Sequence, residues 1–262
     1  MPELQIWLVA LPLLLVAGAI TWALSVPMRN VTIVDTLWPL LFVIAAATYT
    51  VALPDRGARA ALLLVLVTAW GLRLAAYLAW RNRGHEEDRR YQAIRRRNEP
   101  HFTFKSLYLI FGFQALLAWV ISLPLAGGIA GSTPLGLLDA LGAALWAVGM
   151  IFEAGGDWQL ARFKADSANK GRVLDHGLWR YTRHPNYFGD FCVWWGFYLI
   201  ALSAGAWWSV PGPLIMSFLL MRFSGVTLLE KDIGQRRPAY ADYVRRTNTF
   251  FPGPPRSPAG PT

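Results

Sequence analysis

The chain has 262 residues, 55% of them hydrophobic and 16% charged, with a formal net charge of +9. Its apolar residues come in blocks rather than periodic stripes, and blocks of about 18 or more read as membrane spans, which sets aside a soluble globular domain. A single cysteine, Cys192, excludes an intrachain disulfide, and four scattered histidines (His85, His101, His176, His184) argue against a multi-histidine metal centre, so no metal is expected.

Seven blocks follow in chain order: Leu4–Leu24, Val31–Leu53, Ala58–Trp80, Leu107–Ile129, Leu135–Ala154, Tyr187–Leu202 and Trp207–Leu229. The first carries Glu3 and no basic leader, unlike a signal peptide. Lys and Arg gather in loops 80–106 and 157–186 and in the C-terminal tail, while loops 130–134 and 203–206 have none. Basic loops stay cytoplasmic. An odd number of spans then puts the N-terminus outside and the C-terminus in the cytoplasm, with Arg56 and Arg59 as a mild violation. The expected fold class is an all-α integral membrane protein of about seven transmembrane helices. It forms one domain over residues 1–252, followed by a Pro-rich disordered tail, 253–262. The positive charge is assigned to topology and anionic headgroups, not to nucleic acid. A monomer suffices; the sequence does not set the oligomeric state.

Ionisable groups inside spans default to functional hypotheses. Span two opens "NVTIVDTLWPL", with Asp35 and Trp38. Span three contains "AWGLRLAAYLAW", which puts Trp70, Arg73 and Tyr77 on one helical face. An Asp35–Arg73 ion pair is the structural alternative to a role in chemistry. Span five ends "WAVGMIFEAGGDWQLARF", with Glu153 and Asp157 one turn apart. Two such carboxylates repel unless donors lie between them, as a sugar or amide ligand would provide; solvated carboxylates near a helix end are the alternative.

The stretch "FKADSANKGRVLDHGLWRYTRHPNYFGD" supplies Lys164, Lys170, Arg172, Arg180 and Arg183, with Gly171 and Gly177 as breaks. Cations and free backbone N–H groups there suit phosphate. Pro185 suits the first turn of span six, leaving Asn186, Tyr187 and Asp190 on its opening turns. Trp194, Trp195, Trp207 and Trp208 read as an interfacial belt. The end of span five, the basic loop and the mouth of span six are therefore expected to form a cytoplasm-facing pocket for an anionic, polar ligand. Spans one to four offer an apolar chamber containing Asp35.

"GLWRYTRHPNYFGD", preceded by "FEAGGDWQLARFK" and followed by "LLEKDIGQRRPAYADYVRRTNTFFP", resembles the membrane steroid 5α-reductase superfamily, in particular its bacterial branch, over roughly residues 30–252. The resemblance implies spans five to seven holding NADPH, spans one to four enclosing a hydrophobic, lipid-like enone from the bilayer, and a bacterial inner membrane location. It assigns Asn186 and Asp190 to the cofactor, with Asp157, Glu153, Lys164, Arg172 and Tyr181, and more loosely Arg90 and Arg95; His184 and Tyr187, in the same run, are expected to join them. Asp35, Arg73 and Tyr77 are the expected catalytic group, and Trp38, Trp70 and Trp194 the expected substrate contacts. Trp194 also falls near the family's cofactor. Steroid reductases carry a Gln-Glu pair on span two where this chain has "VD", and Trp70 stands where they have a Tyr. "RHPNYFG", an apolar span and the late Glu230 also resemble isoprenylcysteine carboxyl methyltransferases, which bind S-adenosylmethionine. The surplus of cations favours the doubly phosphorylated NADPH over that cationic cofactor.

Overall fold

A computed structural model describes residues 2–53, 57–223 and 239–256. Among the described residues every regular element is a helix: α1 Pro2–Met28, α2 Ile33–Ala52, α3 Ala58–Asn82, α4 Arg89–Asn98, α5 Phe102–Ser106, α6 Phe113–Ile121, α7 Leu123–Ala130, α8 Leu137–Ala165, α9 Pro185–Ser203, α10 Pro211–Phe218 and α11 Ala239–Arg246. Five helical stretches, Gln5–Met28, Ile33–Ala52, Ala58–Asn82, Phe102–Ile121 and Leu137–Ala165, are long and apolar enough to cross a membrane. They point to a lipid environment. On α1 the side chains of Leu8, Val9, Leu13, Val16, Ile20 and Leu24 are exposed, a stripe that water would penalise and acyl chains would cover.

The chain divides into two compact units, Met1–Ala140 with Phe197–Gly212, and Leu141–Gly196 with Pro213–Thr262. In unit one α2 is the central element, packed against α1, α3, α6 and α7. Its inward residues Leu41, Phe42, Ala45, Ala46 and Tyr49 are fully buried, at the three- and four-residue spacing of one helical face. Within this apolar core the Tyr49 and Ser122 hydroxyls lie 2.6 Å apart in a hydrogen bond, which satisfies two polar groups that lipid could not. Gly71 lets α3 approach α2, since a Cβ there would stand 3.0 Å from the Pro39 carbonyl oxygen.

Two expected spans differ. The fourth, 107–129, is not one helix. Residues Leu107–Gly112 form a π-helical segment between α5 and α6. The path then breaks at Ser122, and Pro124 opens α7, the position where a missing N–H costs nothing. The fifth continues beyond its apolar block as α8 to Ala165, so Asp157 lies on the helix with Glu153, as their one-turn spacing implied, and Lys164, expected in the following loop, is helical too. Without Gly or Pro from Asp157 to Ala165, nothing in the sequence stops it earlier. The last block is helical only in part, Pro211–Phe218 and then a π-helical segment, Leu219–Phe223, and its residues 224–229 lie outside the described residues.

Arg59 is not a loop charge. It lies in the first turn of α3, 1% exposed, and pairs bidentately with Asp139 at 2.7 and 3.0 Å. It also donates to the Thr133 and Pro134 carbonyls and to the Ser203 hydroxyl. A buried cation this fully satisfied carries no topological information, which explains its departure from the basic-loop pattern.

In unit two, glycines recur every seventh residue on both long helices: Gly142, Gly149 and Gly156 on α8, Gly189 and Gly196 on α9. A Cβ on Gly189 would lie 2.4 Å from the Glu153 backbone nitrogen and 2.5 Å from the Gly149 carbonyl oxygen, and one on Gly196 would lie 2.7 Å from the Gly142 carbonyl oxygen. Small residues let membrane helices touch backbone to backbone, and here they set the spacing at which polar side chains of α8 and α9 meet.

Arg183 and Thr182 fasten the C-terminal segment. The Arg183 guanidinium donates to the carbonyls of Val244 and Thr247 and to the Thr249 hydroxyl. Its backbone N–H donates to Asn248, and the Thr182 hydroxyl donates to the Phe250 carbonyl. Phe250 and Phe251 then pack edge-on against Phe188 and Phe191 of α9. Arg183, expected among the phosphate-binding cations, is instead buried against carbonyls. Of the expected disordered tail, Gly253 and Arg256 are tied by their backbone N–H groups to Tyr181 and Arg246, and residues 257–262 lie outside the described residues.

Candidate functional site

Unit two holds the first polar cluster. Glu153 and Asp157 are buried on α8, 3% and 5% exposed. The donor that their closeness demands comes from α9, where the Asn186 side-chain amide donates to Asp157 at 3.1 Å. Gly156 makes this meeting possible, since a Cβ there would sit 3.1 Å from the Asn186 backbone nitrogen. Pro185 starts α9 as expected. Asn186, Asp190 and Trp194 follow at four-residue intervals on one face, the last fully buried. Burial removes Trp194 from the expected interfacial belt, whereas Trp207, 69% exposed, suits it. His184 is buried and stacks on Tyr187, ring centroids 5.7 Å apart and 5° from parallel. Lys164 on the last turn of α8, Arg172 just after the left-handed Gly171, and Tyr181 are exposed. The cluster thus has buried carboxylates and an amide on two clamped helices, with cations on the exposed rim.

Unit one holds the second. Asp35, in the first turn of α2, accepts a 2.6 Å hydrogen bond from the Tyr91 hydroxyl and a 3.0 Å one from the Arg90 guanidinium. Both donors lie on α4, whose first turn is capped by Asp88 accepting from the Arg90 backbone N–H at 2.9 Å. Asp88 also pairs with the Arg90 side chain at 3.0 Å, and its backbone N–H donates to the Thr32 hydroxyl. Glu87 accepts from the Val31 N–H and from Arg95 at 2.7 and 2.8 Å. Two acids next to the arginines therefore dock α4 onto the start of α2. The sequence offered Arg73 as the partner of Asp35; the partner seen on α4 is Arg90. Arg73 and Tyr77 are half-buried on α3, with Tyr77 against Trp80 and below Arg81. Trp38, Phe42 and Trp70 form an aromatic row one turn from Asp35, with centroids 5.1 and 5.8 Å apart.

Electrostatics follow from these partners. Burial, reinforced by the negative charge of Asp35, holds the Tyr91 phenol well above its ordinary value of 10.0 despite the Arg90 cation, so Tyr91 remains a proton donor at any physiological pH. Burial works against the Arg90 charge, but Asp35 and Asp88 outweigh it and raise Arg90 further. Gln114 donates to the Tyr91 oxygen at 3.3 Å, and its own amide oxygen is buried without a partner among the described residues. Gln114 lies two residues past the π-helical segment, a local distortion that is frequent at functional sites.

A family model described as "Protein of unknown function (DUF1295)" matches residues 21–247. The chain belongs to this family. That family takes in steroid 5α-reductase-like membrane proteins. An uncharacterized protein of Schizosaccharomyces pombe is 28% identical over 280 aligned residues, covering 94% of this chain and 79% of the relative. No solved structure matches.

The stretch that matches the DUF1295 family includes both polar clusters. Of the residues expected at a site, Glu153, Asp157, Lys164, Arg172, Tyr181, His184, Asn186, Tyr187, Asp190 and Trp194 lie in unit two. Asp35, Trp38, Trp70, Arg73, Tyr77, Arg90 and Arg95 lie in unit one. Arg90 and Arg95 are both engaged with carboxylates. Sequence reasoning missed Tyr91 and Gln114. The only signal for Tyr91 was its place beside Arg90, inside the arginine-rich run; nothing local marked Gln114.

Proposed function

We propose that the protein uses NADPH to reduce the carbon–carbon double bond of a conjugated, sterol-like enone within the membrane. In this reading segments 187–202 and 207–229 complete seven spans, with the N-terminus outside and the C-terminus in the cytoplasm of a bacterial inner-membrane protein. The observation that carries the proposal is the Asp157–Asn186 pair with Glu153, Asp190 and the stacked His184–Tyr187 rings beside it. The donor set fits a dinucleotide. Carboxylates and an amide suit ribose hydroxyls and a carboxamide, and the exposed Lys164 and Arg172 suit phosphates. When bound, NADPH supplies a hydride to the β-carbon of the enone. The chain's own task is to hold the polar parts of the cofactor through α8 and α9, and to provide a proton for the negative charge that develops on the carbonyl oxygen. The Asp35–Tyr91 pair holds one proton in a 2.6 Å hydrogen bond, kept beside the Arg90 cation. We assign that proton to the developing enolate. Trp38, partly exposed, gives the same region an apolar surface for a ring system, backed by Phe42 and Trp70, which are fully buried in the core.

The test is cofactor binding. The purified protein binds NADPH, and Asn186→Ala, which removes one donor from the Asp157 carboxylate as well as one from the ligand, weakens binding by about 1–3 kcal/mol, or roughly fivefold to 150-fold. Equal NADPH affinity in the variant removes the unit-two cluster from the proposal, and binding of S-adenosylmethionine in place of NADPH replaces reduction with methyl transfer.

A further inference from the structure

A cleft of about 40 Å³ opens in unit one where α1 ends, lined by Ser25, Arg29, Arg95, Phe102, Thr103 and Ser106 among others. The proposed reduction does not use it. By the ~10–15 Å³ that one water needs, it holds about three waters, room for the oxygens of a phosphate group. Its chemistry suits an anion. Arg95 is paired with Glu87 and lies over the Phe102 ring at 4.2 Å, so that charge is already balanced. Arg29 is exposed and has no carboxylate partner among the described residues, so it supplies the surplus cation. Ser25 and Ser106 are each 2% exposed, and their hydroxyls donate to carbonyls of their own helices, Trp22 and Thr103. A turn about the C–O bond redirects either proton to a ligand.

The backbone at Arg29 is a second, independent sign. α1 ends in a Schellman turn: the Asn30 N–H donates to the Ser25 carbonyl at 3.3 Å and the Arg29 N–H to the Val26 carbonyl at 3.1 Å. Arg29 itself takes the left-handed conformation, φ +48°, a place that glycine or asparagine fills without strain. Stability alone does not favour arginine there. Its level matters too. α1 ends at Met28, and the candidate span that supplies Phe102 starts at that residue. Around the cleft Leu24, Val26, Met28 and Phe104 are exposed apolar side chains. The cation and hydroxyls thus sit at the edge of the apolar belt, the depth of lipid headgroups.

We propose that this cleft binds a phosphate group, presented by an anionic phospholipid whose acyl chains lie along α1. The test titrates the whole protein, in neutral detergent, with phosphatidylglycerol, with a diacylglycerol of the same chains, and with inorganic phosphate, read by native mass spectrometry. Arg29→Gly and Arg29→Asn both suit the left-handed backbone, so each melts at or above the wild-type temperature without lipid. Both lose phosphatidylglycerol affinity by about tenfold to a hundredfold, the range for a hydrogen bond to a charged group. Diacylglycerol binds all three proteins alike. If inorganic phosphate binds in an Arg29-dependent manner and phosphatidylglycerol does not, the phosphate site stands and its source is a free anion. If both variants hold phosphatidylglycerol and phosphate as tightly as the wild type, the proposal is wrong. Because NADPH affinity is not read here, failure of this site leaves the proposed reduction untouched.

Discussion

Asp35→Asn separates chemistry from architecture. Asparagine keeps the shape of the side chain but offers one acceptor and one donor. Asp35 accepts from two donors, Tyr91 at 2.6 Å and Arg90 at 3.0 Å, so in the variant one of them faces an N–H₂ group. A hydrogen bond to a charged group contributes about 1.5–3 kcal/mol. The lower end applies, because Arg90 retains Asp88 and its side chain is 39% exposed, where solvent screens the charge. A loss of about 1–2 kcal/mol lowers the melting temperature by roughly 2–8 °C, which leaves the protein folded. The catalytic effect is larger. Without the carboxylate the proton is no longer shared, and general acid catalysis typically contributes about 10²–10⁴-fold. The assay measures melting temperature, NADPH affinity and single-turnover reduction on one preparation. We expect a small drop in stability, unchanged NADPH affinity and a turnover rate lower by about two orders of magnitude or more. An unchanged rate in a stable, cofactor-binding variant refutes the assignment of the proton to this pair.

Gly189→Ala places a Cβ 2.4 Å from the Glu153 backbone nitrogen, so α8 and α9 must separate; it destabilises the protein by about 3 kcal/mol or more, read as a lower melting temperature together with lost NADPH binding. Lys164→Ala with Arg172→Ala narrows the preference for NADPH over NADH, measured by parallel titrations, because the two cofactors differ by one phosphate. Burial raises the Glu87 carboxyl, but hydrogen bonds from Arg95 and Val31 and the charge of Arg95 outweigh it, and the net value lies below its ordinary 4.5. A carboxyl depressed by folding stabilises above its unfolded value and loses that contribution as pH falls through its folded value. Melting temperatures between pH 6 and pH 3 therefore fall more steeply for the wild type than for Glu87→Gln, and parallel curves contradict the ion pair.

Much of unit one's framework was legible, because spans are written in composition. Helices α1, α2 and α3 lie where their apolar blocks do. The fourth block misled because a π-helical segment and the turn at Ser122 depend on tertiary fit, which hydropathy does not encode. Asn186 and Asp190 could be placed on the opening turns of α9 from Pro185's preference for a first turn, and on one face from the 3.6-residue period. The Asp157–Asn186 contact could not, since it depends on how closely the glycine-bearing faces of α8 and α9 approach. Asp35 was visible as a charge inside a span, but its partner was not. Arg90 reaches Asp35 because α4 is capped by Asp88 and held to the start of α2 through Glu87, and no short-range pattern in the sequence links those acids to span two. Arg59 and Asp139, 80 residues apart, carried no local signal at all.

The most direct test of the proposed function is anaerobic incubation of the purified protein with NADPH and a panel of Δ4-3-ketosteroids, read by mass spectrometry. The account predicts a product heavier than its enone by two hydrogens, with one NADPH consumed per product and one deuterium incorporated from deuteride-labelled NADPH. Stoichiometric NADPH binding with no such product from any conjugated ketone, or a product mass raised by a methyl group when S-adenosylmethionine is supplied, would contradict it.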